Sequence, residues 1–283
     1  MLRMLVTGAD GFTGVHLVKQ AQESGYEVFE FNANLTDPQA VQAQVNAAAP
    51  DVVVHLAAIS FVGHDKPSAF YDVNVIGTLN LLDALLKLPK LPIRVLLASS
   101  ANVYGNCALS PISEKQIPSP LNHYAMSKLA MEHLAMTYLD RLPLFFVRPF
   151  NYTGLGQVES FVIPKIVSHF KRRAATVELG NLTVEREYND VRMVADAYLK
   201  LLDKAAVGET YNICTGKTYT LHQAIDALTE LTEHQINVVV NPAFVRANEL
   251  HSLCGDATKL EKTIGAGDSI ALKDTLRWML ESA

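Results

Sequence analysis

The chain has 283 residues, 49% hydrophobic and 19% charged, enough apolar material for one sizeable core or two unequal ones and too much for intrinsic disorder or a coiled coil. Its 15 glycines and 12 prolines are scattered without period, which excludes collagen-like and low-complexity architecture. With 24 basic against 29 acidic residues the net charge is −5, so no basic field draws the chain to nucleic acid or an anionic membrane, and the one short basic run, Lys171-Arg172-Arg173, reads as a solvated helix end.

The opening MLRMLVTGAD reaches Gly8 and Asp10 before a signal-peptide stretch forms, and no apolar run approaches the roughly 20 residues that span a bilayer. Candidate strands follow at Leu2 to Val6, Glu27 to Phe31, Val52 to Leu56, Val95 to Ala98 and Leu144 to Val147, separated by segments of helical length and period. Near-continuous apolar runs such as VVVHLAA and VLLASS are expected when helices cover both faces of a parallel sheet. The predicted fold is therefore α/β, a Rossmann-type doubly wound parallel sheet. After Arg148 the rhythm loosens into a helix from about Phe161 to Arg173, a polar stretch GNLTVEREYND, a helix VRMVADAYLKLLDKA and a strand-like TYNICTG. A helix LHQAIDALTELT, a β-branched strand INVVV, a loop through Arg246 to Cys254 and an amphipathic helix IALKDTLRWMLES complete the chain. We read residues 1–150 as the first domain, rejoined by a segment near 188–216, and residues 151–283 as a smaller C-terminal lobe. Cys107, Cys214 and Cys254 lie far apart and form neither a disulfide framework nor a CxxC motif, so a reducing, cytoplasmic setting is expected.

The first strand ends in Thr7-Gly8-Ala9-Asp10-Gly11-Phe12-Thr13-Gly14, a GxxGxxG pattern running into a helix. Such a turn brings backbone close to a pyrophosphate at a helix N-terminus, where free N–H groups favour negative charge. Taken alone it is equally a tight strand-to-helix connection; its place after the first strand favours the cofactor. The second strand ends Glu30-Phe31-Asn32-Ala33-Asn34, with neither a terminal carboxylate to select NAD nor an arginine cluster to select NADP, so use of both is expected. Leu35 and Asp37 either cover the adenine or cap the helix PQAVQAQVNAA.

Tyr124 and Lys128 stand at i and i+4 in the helical stretch HYAMSKLAMEHLAM and share a face. A neighbouring ammonium favours phenolate over phenol, which makes Tyr124 a candidate acid or base; the alternative is a solvated helix face. Ser100, after the fourth strand, lies at the carboxyl end of the sheet and could hydrogen-bond a reacting carbonyl, or simply form a turn. Nine histidines form no metal-ligand spacing, so no metal is expected, and His55 inside an apolar strand reads as a satisfied core residue.

Taken in order, TGADGFTG, HLAA at 55–58, SSANVYG, YAMSK, RPFN at 148–151 and REYNDV at 186–191 resemble the extended short-chain dehydrogenase/reductase family over nearly the whole chain. The resemblance implies a dinucleotide-binding Rossmann domain, a small nucleotide-sugar-binding lobe and a catalytic set of Ser100, Tyr124 and Lys128. It further implies Gly8, Gly11, Phe12 and Gly14 at the pyrophosphate, Asn32, Leu35, Leu56, Ala57 and Ala58 along NADP or NAD, and Tyr124 and Lys128 at its nicotinamide end. The family's 4,6-dehydratases carry a glutamate two residues after the triad hydroxyl; Asn102 stands there and cannot trade that proton. The stretch RPFNYTGLGQVESFVI is similar to the GDP-4-keto-6-deoxy-mannose reductases, which form GDP-rhamnose, with Asn102 a departure that leaves the C4 configuration open to talose. Asn102, Asn151, Arg186, Arg246 and Glu249 are the implied substrate contacts. Members commonly form homodimers through the helix at about 72–88 and the Tyr124 helix. A nucleotide-sugar 4-epimerase with retained NAD, and more remotely a dinucleotide-sensing protein, are the competing readings.

Overall fold

The computed structural model describes residues 1–60, 65–107, 109–244, 252–267 and 269–282. The first half runs β1 (Arg3–Thr7), α1 (Phe12–Glu23), β2 (Glu27–Phe31), α2 (Pro38–Ala48) and β3 (Val52–His55). Then come α3 (Pro67–Tyr71), a π-helical turn (Asp72–Ile76), α4 (Gly77–Leu86), β4 (Arg94–Ala98), a 3₁₀ turn (Ala101–Tyr104), α5 (His123–Met136) and β5 (Leu144–Pro149). The second half adds β6 (Tyr152–Thr153), α6 (Val162–Lys171), β7 (Thr176–Leu179), β8 (Glu185–Arg186), β9 (Asn189–Asp190), α7 (Val191–Lys204) and β10 (Thr210–Ile213). It closes with α8 (Leu221–Thr232), β11 (Asn237–Val240), β12 (Ser252–Leu253), α9 (Thr258–Ile264) and α10 (Leu272–Glu281).

Six parallel strands form the main sheet in the order β10-β5-β4-β3-β1-β2. Chain direction across the sheet reverses between β1 and β3, so the loops leaving these strands part and open a crevice at their carboxyl ends. Strand alternation explains the unbroken apolar runs. Met4 and Val6, Val52 and Val54, Leu96 and Ala98, and Phe145 and Val147 point into a core shared with α1 and α7. Leu5, Val53, Val95, Leu97, Leu144 and Phe146 point into the opposite core with α2, α4 and α5. Each of the larger side chains contributes about 1.5–3 kcal/mol by burial, so a charge on either face needs a partner.

A separate apolar cluster joins Ile166, Phe170, Val177, Leu179, Leu228 and Leu276 from α6, β7, α8 and α10. Local signals set the helix starts: Thr220 and Gln223 form a capping box on α8, and the Asp37 carboxylate accepts the Gln39 and Ala40 N–H groups at the start of α2. The capping reading of Asp37 is therefore the observed one. The expectation that no apolar run approaches membrane-spanning length needs correcting: α3, the π turn and α4 make one apolar rod of 20 residues, Pro67–Leu86. It packs on α2 through Leu81, Leu82 and Leu85, as a core helix does.

Candidate active site

Gly8 takes φ +68°, and a Cβ there would lie 2.9 Å from the Ala57 backbone, so the ends of β1 and β3 touch through a glycine. A Cβ on Gly14 would lie 2.1 Å from the Gly8 carbonyl oxygen, packing α1 directly on the turn. Gly11 starts α1 without a side-chain cap, which leaves the first N–H groups of the helix for an anion. The Ala57 N–H is held by the Thr7 hydroxyl at 3.1 Å, and Leu56, Ala57 and Ala58 are half-buried beside it. Phe12 stacks on Tyr152, ring centroids 5.8 Å apart, and the Thr13 and Tyr152 hydroxyls hydrogen-bond at 2.7 Å. At the tip of β2, Gln44 accepts the Asn32 and Ala33 N–H groups, leaving the Asn32 side chain exposed. Leu35 is buried against Gly77, with its carbonyl accepting from Asn80, and so serves core packing. The cradle fits a dinucleotide: Gly8 and Gly14 admit no side chain, and its helix end is uncapped.

At the ends of β4 and α5, Ser100, Tyr124 and Lys128 are all buried, which excludes the solvated-face reading. Asn122 caps α5 by accepting the Ala125 N–H, fixing where Tyr124 leaves the helix. Ser100 accepts the Asn102 N–H at 3.2 Å and hydrogen-bonds Tyr124. One expectation is corrected. Burial pushes the Tyr124 phenol up to about 12, outweighing the Ser100 hydrogen bond that lowers it, whereas the sequence pattern predicts a phenol lowered by Lys128. Lys128 instead donates to the Ala98 carbonyl at 2.7 Å; burial lowers it to about 8, and the nearby Glu132 charge works in the opposite sense. The site thus holds a protonated phenol beside a serine hydroxyl at neutral pH. Ser99, adjacent and buried, has a hydroxyl without a partner among the described residues, a polar atom left for a ligand.

Behind the triad runs a buried polar chain that motif reading misses. The two ring nitrogens of His55 hydrogen-bond the Thr7 and Thr78 hydroxyls at 2.7 and 2.9 Å. Thr78 donates to the Asn74 carbonyl, Asn74 Nδ2 donates to Ser127, and Ser127 donates to the Tyr124 carbonyl. Burial, followed by the Lys128 charge, drives His55 down to about 3, so it is neutral. Asn74 sits in the π turn, a distortion often placed at functional sites.

The expected substrate contacts lie on several elements. Asn102 is exposed two residues after Ser100, and Asn151 is exposed beyond β5, its carbonyl accepting the Asn189 N–H. Arg186 lies in β8, bonded through its backbone to Tyr219 and through Nη1 to the Glu185 carbonyl. Arg246 and Glu249 lie outside the described residues. Glu187, which lies inside the REYNDV motif but is not among the predicted site residues, is buried and accepts from the Gly255 and Thr215 N–H groups at 2.6 and 2.8 Å and from Asn189 at 2.8 Å. It ties together the segments that follow β8, β10 and β12.

A model of the family described as GDP-mannose 4,6 dehydratase matches residues 28–279. GDP-6-deoxy-D-talose 4-dehydrogenase of Aggregatibacter actinomycetemcomitans is 40% identical, over 93% of this chain and 92% of its own. GDP-6-deoxy-D-mannose reductase of Pseudomonas aeruginosa is 34% identical, over 98% and 96% respectively. The structure of RMD from Pseudomonas aeruginosa complexed with NADPH superposes with a TM-score of 0.92 at 32% identity, covering 99% of this chain and 98% of that one. The match in sequence and fold extends from the Gly-rich turn to the C-terminal helix, and the chain belongs to the GDP-mannose 4,6 dehydratase family within the extended short-chain dehydrogenase/reductases.

Proposed function

We propose that this protein reduces the C4 ketone of a GDP-linked 4-keto-6-deoxyhexose, with NADPH or NADH as reductant. The observation that carries the reading is a protonated, buried Tyr124 hydrogen-bonded to Ser100 beside the glycine cradle. Bound reduced nicotinamide supplies a hydride. Tyr124 gives its proton to the sugar oxygen as that oxygen gains charge, and Ser100 holds the oxygen in line. Lys128 stabilises the phenolate left behind. Asn102, exposed and without an ionisable proton, supports reduction over dehydration.

GDP-rhamnose is the product expected from the sequence motifs, but the relative named for 6-deoxy-talose shares 40% identity against 34% for the mannose reductase. We therefore assign the talo configuration at C4. Proton NMR of the product tests this: a small H3–H4 coupling is expected, and a large trans-diaxial coupling identifies GDP-rhamnose instead. An epimerase with retained NAD would purify with stoichiometric nucleotide, whereas the reductase is expected to purify without it.

With neither carboxylate nor guanidinium at the tip of β2, kcat/KM for NADPH and NADH should agree within about tenfold in steady-state assays. If Arg186 meets the nucleotide diphosphate, as the family resemblance implies, Arg186→Ala should raise the sugar-nucleotide KM by about 10- to 100-fold, the worth of a charge-assisted hydrogen bond, with kcat little affected; an unchanged KM would make Arg186 structural. The exposed Ile76, Met126 and Met136 on the α3–α4 rod and α5 support a homodimer, to be read by light scattering.

A further inference from the structure

Three residues on α5, Tyr124, Lys128 and Glu132, recur at four-residue intervals, and all three are buried; Glu132 is 1% exposed. A carboxylate cannot stay ionised in such a place without a partner. The partner is Arg148 in β5, whose Nε and Nη2 donate to the two Glu132 oxygens at 2.9 and 2.6 Å, a bidentate fork. Arg148 also lies over the Tyr104 ring at 4.9 Å, and Tyr104 donates to Asn212 of β10 at 2.7 Å. Lys128 is itself bolted to the Ala98 carbonyl at the end of β4. The helix that carries the tyrosine and lysine is thus pinned to two adjacent strands, once by each charge.

We propose that Glu132 is a positioning residue: locked by Arg148, it keeps α5 in register on the sheet and holds a fixed carboxylate one helical turn from Lys128.

Among the described residues, the titratable and charged groups that act on this pair come from α5, two strands and the 3₁₀ segment; α3, the π turn and α4, which also pack on α5, add none that shifts Lys128. On α5 itself are Tyr124 and Glu132; from β3 comes His55, neutral; from β5, Arg148; from the 3₁₀ turn, Tyr104; and beyond it Glu114, whose carboxylate accepts the Asn212 N–H. Burial works against the Lys128 charge, and Glu132, one helical turn away, works for it. Lys128 is charged below its titration point and loses that charge as pH rises through it, so removing Glu132 moves the loss to lower pH.

Lysine labelled with ¹³C at Cε reads the ammonium without any assay of turnover, with the Lys128 signal assigned through Lys128→Met. The wild-type signal should titrate near pH 8, and Glu132→Gln should lower the midpoint by about one unit. Because Glu132→Gln leaves a buried guanidinium short of its partner at a cost to folding, Glu132→Gln/Arg148→Met removes both charges together, an exchange buried ion pairs often tolerate; its midpoint should also move down, but by less, because the Arg148 cation that opposes the Lys128 charge leaves with Glu132. A midpoint unchanged in whichever variant folds overturns the proposal. The inference extends the proposed reductase reading through one further measurement. The basic limb of the kcat/KM profile should shift with the NMR midpoint, whereas a residue that merely braces the fold would lower kcat without moving the limb. A wild type that titrates as stated but reduces no keto sugar refutes the activity alone.

Discussion

Replacing Tyr124 by Phe is expected to lower kcat by about 10²- to 10⁴-fold while reduced-dinucleotide binding, followed by nicotinamide fluorescence, changes little. The ring stays: Phe keeps the packing near Phe70, whose ring centroid lies 6.3 Å away. Only the hydroxyl goes, and with it the proton that the buried phenol carries at neutral pH. The cradle of Gly8, Gly11 and Gly14 is built from backbone on β1 and α1, so the pyrophosphate site does not depend on that hydroxyl. Wild-type turnover in the Phe variant would remove Tyr124 from the reaction.

Gly14→Ala should be the most damaging single methyl in the dinucleotide cradle. Its Cβ would lie 2.1 Å from the Gly8 oxygen and 2.6 Å from Ala9 Cα and O, all backbone atoms of the same turn, so no side-chain rotation relieves the overlap. A forced shift of this kind costs about 1–3 kcal/mol or more, and here it moves the N–H groups that would meet phosphate. Thermal denaturation should show a lowered Tm, and dinucleotide binding should be lost even at temperatures where the variant is folded. Gly267→Ala, with nothing within 4 Å and no positive φ, is the matched control and should behave as wild type. Retained binding in Gly14→Ala would mean that the turn does not hold the cofactor.

Pattern reading recovers most of the main sheet because its strands are buried on both faces and stand out as apolar runs. Glu27–Phe31 is predicted to the residue, and β5 runs only two residues beyond Leu144 to Val147. The longer helices α5 and α8 are predicted to the residue as well, each with a side-chain cap that marks its start. Weakly amphipathic elements are not legible: α9 buries only Leu260, and β7 alternates over just four residues, so neither carries a readable period. Motif spacing likewise singles out Ser100, Tyr124 and Lys128, since a turn after β4 and an i, i+4 pair are sequence features. It passes over Asn74, Glu132, Arg148 and Glu187 as partners, because a polar residue on a helix or strand looks solvated until packing shows which face it occupies. Each turns out to be 5% exposed or less and hydrogen-bonded to residues distant in sequence or from another element, which no local pattern encodes.

The direction of the Tyr124 shift shows the same limit. Spacing correctly places an ammonium one turn away, but the depth of burial decides the sign, and burial raises the phenol. For a ketone reduction this is serviceable chemistry, since the group needed is a proton donor in its acid form.

The most direct test is the decay of nicotinamide absorbance when purified protein meets GDP-4-keto-6-deoxy-mannose, generated in place by a dehydratase, with NADPH and NADH supplied separately. Oxidation of one nicotinamide per keto sugar consumed, with either coenzyme, is the predicted result. No decay with folded protein and keto sugar both present would contradict the reductase assignment.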